Sequence, residues 1–178
     1  GQNLLNLTPG ILWVTFLFSG ILGLGRSFAI EKTSGSLEGL LLAPIDPGAI
    51  YLSKVCGNLL FMGLTQLAII PIFSAFFRVS LFRPALILVI LPLGTLGMAA
   101  IGTLTSAIAS HTRAREVLLP ILLIPFLTPV LIASVKSTVG VLTGDSWDSI
   151  YPWINLLIGF DALILSASYL LFDHVVNE

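Results

Sequence analysis

The chain has 178 residues, 56% hydrophobic and only 10% charged, with eight Lys/Arg against nine Asp/Glu. Its mean hydropathy of +1.04 leaves far too little polar surface for a water-soluble globule, whose charged fraction runs near 25%. A soluble enzyme, a nucleic-acid binder and a disordered segment are thereby excluded, the net charge of −1 offers nothing to a polyanion, and an all-α integral membrane protein remains.

Charge-free runs set the topology, because a helix needs about 20 apolar residues to cross the hydrocarbon core and open strands cannot satisfy their backbone in lipid. Five spans are predicted, at about 9–25, 55–77, 84–110, 117–135 and 151–172, forming one transmembrane domain over 1–178. No charged segment precedes the first apolar run, so no signal peptide is read, and the start at Gly1 suggests that an upstream segment is missing. Arg26, Lys32, Lys54, Arg113 and Arg115 flank one face and Arg78, Arg83 and Lys136 the other. That bias puts the N-terminus outside and the C-terminus in the cytoplasm. Trp13, Trp147 and Trp153 all fall on the external side, where indole favours the headgroup boundary.

Between the first two spans, Gly35 breaks the preceding helix and Ser36 can cap a new one with Glu38 in its first turn. Leu37, Leu40 and Leu41 fall on one stripe, and Pro44 ends the helix after about two turns. So short a helix does not stand alone in water, and its leucine face must dock on lipid, on the other helices or on a cytoplasmic partner. Asp46 then caps the next helix, with Pro47 in its first position.

Within the second span, Asn58 and Gln66 are the available amides, and Cys56 lies in an apolar run where neither an internal disulfide nor a thiolate metal site can form. In the third, Gly102, Ser106 and Ser110 recur every four residues as a seam for close helix packing. Pro71, Pro92, Pro120, Pro125 and Pro129 interrupt the spans, and the three in the fourth predict either a bent helix beside a cavity or a well-tolerated kink. Residues 137–150 read as an external loop or interfacial helix anchored by Trp147 and Tyr151, either as a plain anchor or as a contact for a partner outside the membrane. Asp161 falls near mid-membrane, where a charge costs about 2.5–3.5 kcal/mol. It must be protonated, paired with a neighbour such as Asn58 or Gln66, or turned to a polar pathway. His111 and His174 lie in a loop and the tail and read as solvated residues. No GxxxxGK[ST] occurs, so this chain offers no Walker A site for ATP.

The string Glu31-Lys-x-x-Gly35-Ser36-Leu37-Glu38-x-Leu40-Leu41-x-x-Pro44, followed by Lys54, resembles the coupling-helix region of ABC-2-type permeases. Added to it are Pro9-Gly10-Ile11-Leu12-Trp13, Gly94-Thr95-Leu96-Gly97, Gly102-Thr103-Leu104, Arg115-Glu116-Val117-Leu118-Leu119-Pro120, Pro125, Pro129-Val130, Phe160-Asp161 and Leu171-Phe172. Together they resemble the CcmB family, haem exporter protein B of cytochrome c maturation. The resemblance implies a bacterial inner-membrane permease of six spans, here lacking the first, with Glu31, Gly35, Ser36, Leu37, Glu38, Leu40, Leu41 and Pro44 as ATPase-coupling residues. It further implies a CcmA-like ATPase subunit that binds the ATP, a CcmC-like haem-handling membrane protein, a haem chaperone engaged indirectly and a homodimer. Haem would be the cargo, with no bound cofactor, no metal site and no catalytic residue in this chain. The same loop would also suit a permease for a lipid, a drug or a polysaccharide, and the bundle a motor-independent membrane subunit.

Overall fold

In a computed structural model, the described residues are 2–34, 46–77, 85–110 and 115–177, with side chains described for 7–24, 46–77, 85–109 and 117–172. Five helices account for nearly all of them: α1 (Gln2–Ser34), α2 (Pro47–Phe77), α3 (Ile87–Ser110), α4 (Arg115–Thr143) and α5 (Trp147–Asn177). Each holds a stretch long and apolar enough to cross a membrane, so the chain is a multi-pass membrane protein. The 31 residues of α2 and of α5 reach about 45 Å at 1.5 Å per residue, against roughly 30 Å of hydrocarbon. Their ends therefore stand clear of the core.

The helices are not equivalent. Buried residues make up 67% of Ile87–Ala109 in α3, but 22% to 44% of the corresponding stretches in the other four. The packing explains this: α3 touches all four neighbours, which form a ring in the order α1, α4, α5, α2. Only the diagonal pairs, α1 with α5 and α2 with α4, lack a substantial interface. Small residues make such a centre possible, since Gly94, Gly97, Ala99, Ala100, Gly102 and Ala107 let neighbouring helices approach closely. Gly102 receives Leu24 of α1, and Ser106 is buried, as the four-residue seam predicts; the side chain of Ser110 lies outside the described residues.

Two expectations fail at one end of the bundle. The fourth span does not stop at Val135 before a loop: α4 runs to Thr143, and Trp147 already opens α5. Lys136 did not end the helix because its side chain is exposed, while Ser137 and Thr138 beside it are buried and bonded to carbonyls of their own helix. Gly144 takes a left-handed φ of 76° and lets Asp145 N–H reach back to the Gly140 carbonyl at 2.8 Å, a glycine-stopped C-terminus of the Schellman type. Ser146 precedes α5 and accepts Ser149 N–H on its carbonyl. The connection is three residues long, and Asp145 lies in it, hydrogen-bonded by the Thr143 hydroxyl at 2.9 Å.

Trp13 is the second correction. Its indole is fully buried among the helices rather than turned outward to the lipid, and its Nε1–H donates to Thr138 Oγ1 at 3.0 Å. Trp147 by contrast is half exposed and packs against Tyr151 with ring centroids 5.6 Å apart. Flanking charge predicts depth along the membrane normal but not which way a helix face points, and α1 turns Trp13 inward.

Candidate functional site

α3 carries polar side chains on one face and glycines on another, and its neighbours answer each differently. Toward α2 stand Thr95 and Thr103, eight residues and so about two turns apart; α2 presents Gln66 and Asn58 at the same separation. Gln66 Nε2–H donates to Thr95 Oγ1 at 2.7 Å, and that hydroxyl lies 2.6 Å from the Leu91 carbonyl that takes its proton. Asn58 Nδ2–H donates to Thr103 Oγ1 at 2.8 Å, and Thr103 passes its proton to the Ala99 carbonyl at 2.6 Å. Each threonine thus spends its single proton on its own helix and keeps a lone pair for the amide across the interface. Asn58 and Gln66 are therefore the partners of α3, not of Asp161, as the sequence had suggested. An apolar groove of 370 Å³ opens to lipid above the Gln66–Thr95 pair, walled by Leu60, Leu64 and Leu67 of α2 and Leu88 and Pro92 of α3.

Toward α4 and α5 the arrangement changes. Gly94 receives the Trp13 ring and Ser134 Oγ, and a Cβ at that position would come within 2.4–2.6 Å of these atoms. One turn on, Gly97 receives the Asp161 carboxyl and Val130, with 2.6 Å between a built Cβ and Oδ1. Asp161 is only 3% exposed, yet neither of its oxygens meets a hydrogen-bond partner among the described residues. The same holds for the buried hydroxyls of Ser106 and Ser134. Glycine at 97 is required by the volume of the carboxyl, whereas the sequence names it only as part of the Gly94-Thr95-Leu96-Gly97 string that carries the family resemblance.

Despite its three prolines, α4 is continuous as a helix. Residues Pro120, Pro125 and Pro129 each remove one ladder hydrogen bond, and the surrounding packing of Leu119, Leu123, Leu127 and Val130 holds the helix together; no break appears.

The opposite end of the bundle holds the start of α2 and the end of α5. Asp46 stands just before α2 as expected, its carbonyl accepting the N–H groups of Ala49 and Ile50, and Pro47 opens the helix. Its carboxylate Oδ2 accepts the hydroxyl proton of Tyr169, 123 residues away on α5, at 2.5 Å. No sequence signal links these positions. Nearby, Tyr51 is fully buried, donates to the Ala100 carbonyl of α3 at 3.0 Å and packs on Phe172 of α5 at a ring separation of 5.5 Å. Cys56, expected in an apolar run, is exposed on α2.

Of the expected coupling residues, Glu31 falls in the last turn of α1 without a described side chain, and Gly35, Ser36, Leu37, Glu38, Leu40, Leu41 and Pro44 lie outside the described residues. His111 lies outside them as well, as does the side chain of His174.

A five-helix bundle whose central helix is pinned by amide–hydroxyl pairs on one side and faces unpaired polar groups on the other defines an integral membrane protein. The family model described as "CcmB protein" matches residues 1–176, and the chain belongs to the CcmB family. It is 31% identical over 132 residues to "Heme exporter protein B" of Rhodobacter capsulatus, covering 74% of this chain and 61% of that protein. To the protein of that name from Haemophilus influenzae it is 35% identical over 127 residues, 71% of this chain and 57% of the relative. The Escherichia coli protein of that name is 41% identical over a shorter 66 residues, 37% of this chain and 30% of its own length. The chain thus spans about three fifths of the length of the first relatives it matches.

Proposed function

We propose that this chain is the membrane permease subunit of an ABC-type complex that exports or delivers haem for c-type cytochrome biogenesis, with nucleotide hydrolysis in a separate subunit. The observation that carries the reading is the family match from residue 1 to 176, with relatives named as haem exporter proteins. A lack of any P-loop motif in the 178 residues fits a chain that borrows its power stroke.

In this reading the chain is a single transmembrane domain of the bacterial inner membrane, its C-terminus in the cytoplasm. Residues 35–44 then lie under the bilayer, where the Leu37, Leu40 and Leu41 stripe docks on a CcmA-like ATPase while Glu31, Gly35, Ser36, Glu38 and Pro44 set its pose. Closure of the ATPase pair displaces that segment and the helices reorient between two states. A CcmC-like haem protein lies alongside, a second copy of the chain completes a dimer, and the haem chaperone is served indirectly. Haem is cargo, and this chain performs no catalysis.

Purification of the tagged chain from native membranes tests the assembly. The expected result is an ATPase subunit and a haem-handling membrane protein in the same complex, with deletion of the chain abolishing c-type cytochromes. Leu40→Glu or Leu41→Glu should reduce ATPase co-purification while membrane insertion stays intact. Normal c-type cytochromes in the deletion, with loss of another exported lipid, drug or polysaccharide, would overturn the cargo; unchanged ATPase recovery with both leucine variants would overturn the docking stripe.

A further inference from the structure

Residues at the start of α2 and the end of α5 form a contact that no packing requirement of the bundle core demands. Tyr169 is 38% exposed, so its ring is not needed to fill the interior. Yet its hydroxyl reaches the Asp46 carboxylate at 2.5 Å, and its ring lies over Gly48, where a Cβ would come within 2.4–2.7 Å of three ring atoms. Glycine at 48 is thus the seat that brings the hydroxyl to the carboxylate. One turn further along α2, Tyr51 is hydrogen-bonded to the α3 backbone at Ala100 and packed on Phe172. Two aromatic ties, three residues apart on each helix, therefore join α2 to α5, and one of them continues into the central helix.

Position matters as much as strength. Asp46 is the residue through which the chain enters α2 after residues 35–45, so a displacement of that segment that is passed to α2 is passed there. We propose that Asp46 and Tyr169, seated on Gly48, are a link that makes the first turn of α2 and the last turns of α5 move as one body, with Tyr169 the positioning residue for transmission. This deepens the reading above and rests on it for the origin of the displacement; the link itself does not. A hydroxyl–carboxylate bond at the rim of the bundle is suited to the task because it is directional and charge-assisted yet modest enough to break within a cycle.

Two spin labels test it, one on the native Cys56 of α2 and one on Leu163→Cys, an exposed position of α5. In the purified complex the expected result is one narrow distance distribution, the same with and without nucleotide. Tyr169→Phe removes only the hydroxyl and should raise the population of a second distance about tenfold. Asp46→Ala should do the same, the double variant should add nothing further, and Asp46→Asn, whose amide oxygen still accepts the bond, should restore the single distance. In cells, Tyr169→Phe should lower the yield of c-type cytochrome about fivefold or more at unchanged chain level and unchanged ATPase co-purification. An unaltered distance distribution in Tyr169→Phe overturns the link, as does a wild-type distance that changes with nucleotide. A fall in chain level parallel to the fall in yield reduces Tyr169 to packing and also overturns it. Should no ATPase be found with the chain, the label measurement on the isolated protein still decides whether α2 and α5 are joined, so the two readings fail separately.

Discussion

The two sides of α3 solve the same problem in opposite ways. Facing α2, both threonine hydroxyls and the NH2 groups of both amides are matched, and the bonds run from amide to hydroxyl to carbonyl. Facing α4 and α5, the Asp161 carboxyl and the Ser134 hydroxyl are equally buried and unmatched among the described residues. Burial of a polar group is favourable only when its partner is present, so the α2 side holds helices together and the α4–α5 side does not gain stability from its polar atoms. In the function proposed above, a membrane subunit that works between two states needs both kinds of contact: one that fixes a reference frame and one that is not locked.

Breaking the unmatched side by volume gives the largest effect. Trp13→Ala should destabilise the bundle by about 3–4 kcal/mol, because it empties the space over Gly94 and removes the indole bond to Thr138; unfolding of the purified protein in mixed micelles measures this. Gly97→Ala comes next, at about 1–3 kcal/mol, since the new methyl meets Asp161 Oδ1. Combining it with Asp161→Ala should recover most of that loss, and a cycle showing no coupling would mean that the carboxyl does not rest on Gly97.

The comparison sharpens when equivalent apolar replacements are made on both sides. Gln66→Leu or Asn58→Leu should each cost about 1 kcal/mol, in the range of interhelical hydrogen bonds in membranes, and Thr95→Val in the Gln66→Leu background should add little. Asp161→Leu should leave stability unchanged or raise it, because the group removed has no bond to lose. If the unmatched carboxyl serves transport, that same variant accumulates normally in the membrane and fails to support c-type cytochrome formation. The smallest effect belongs to the lipid side: Gly63→Ala, with nothing within 4 Å of a new Cβ, should stay within about 0.5 kcal/mol of the parent protein.

Much of this architecture was legible in the sequence because lipid imposes a simple rule: apolar length means a span. All five helices and the Asp46–Pro47 start of α2 follow from local chemistry. What was not legible is azimuth. Trp13 and Lys136 were read by depth alone, and the structure turns the first inward and leaves the second on the outer face of an uninterrupted helix. Pairings were hidden for the same reason. Asn58 and Gln66 were taken as mates for Asp161 because all three are polar in apolar surroundings, whereas the neighbour order around α3 gives the amides to Thr103 and Thr95. The Asp46–Tyr169 contact spans 123 positions and leaves no periodic trace. Family likeness, carried by strings such as Gly94-Thr95-Leu96-Gly97, marked the right region without giving the reason; its glycines make room for an indole and a carboxyl.

A centre enclosed by its neighbours also constrains biogenesis. During synthesis α3 leaves the ribosome before α4 and α5, so its bare glycine flank enters the bilayer while two of its four covers are still being made. Exposed to acyl chains alone, that flank has nothing to fill its hollows until the α4–α5 hairpin, tightly turned at Gly144, swings against it. Assembly, rather than insertion, is then the step at which substitutions along this flank act, and a protease that samples half-built intermediates would detect them before any transport assay could.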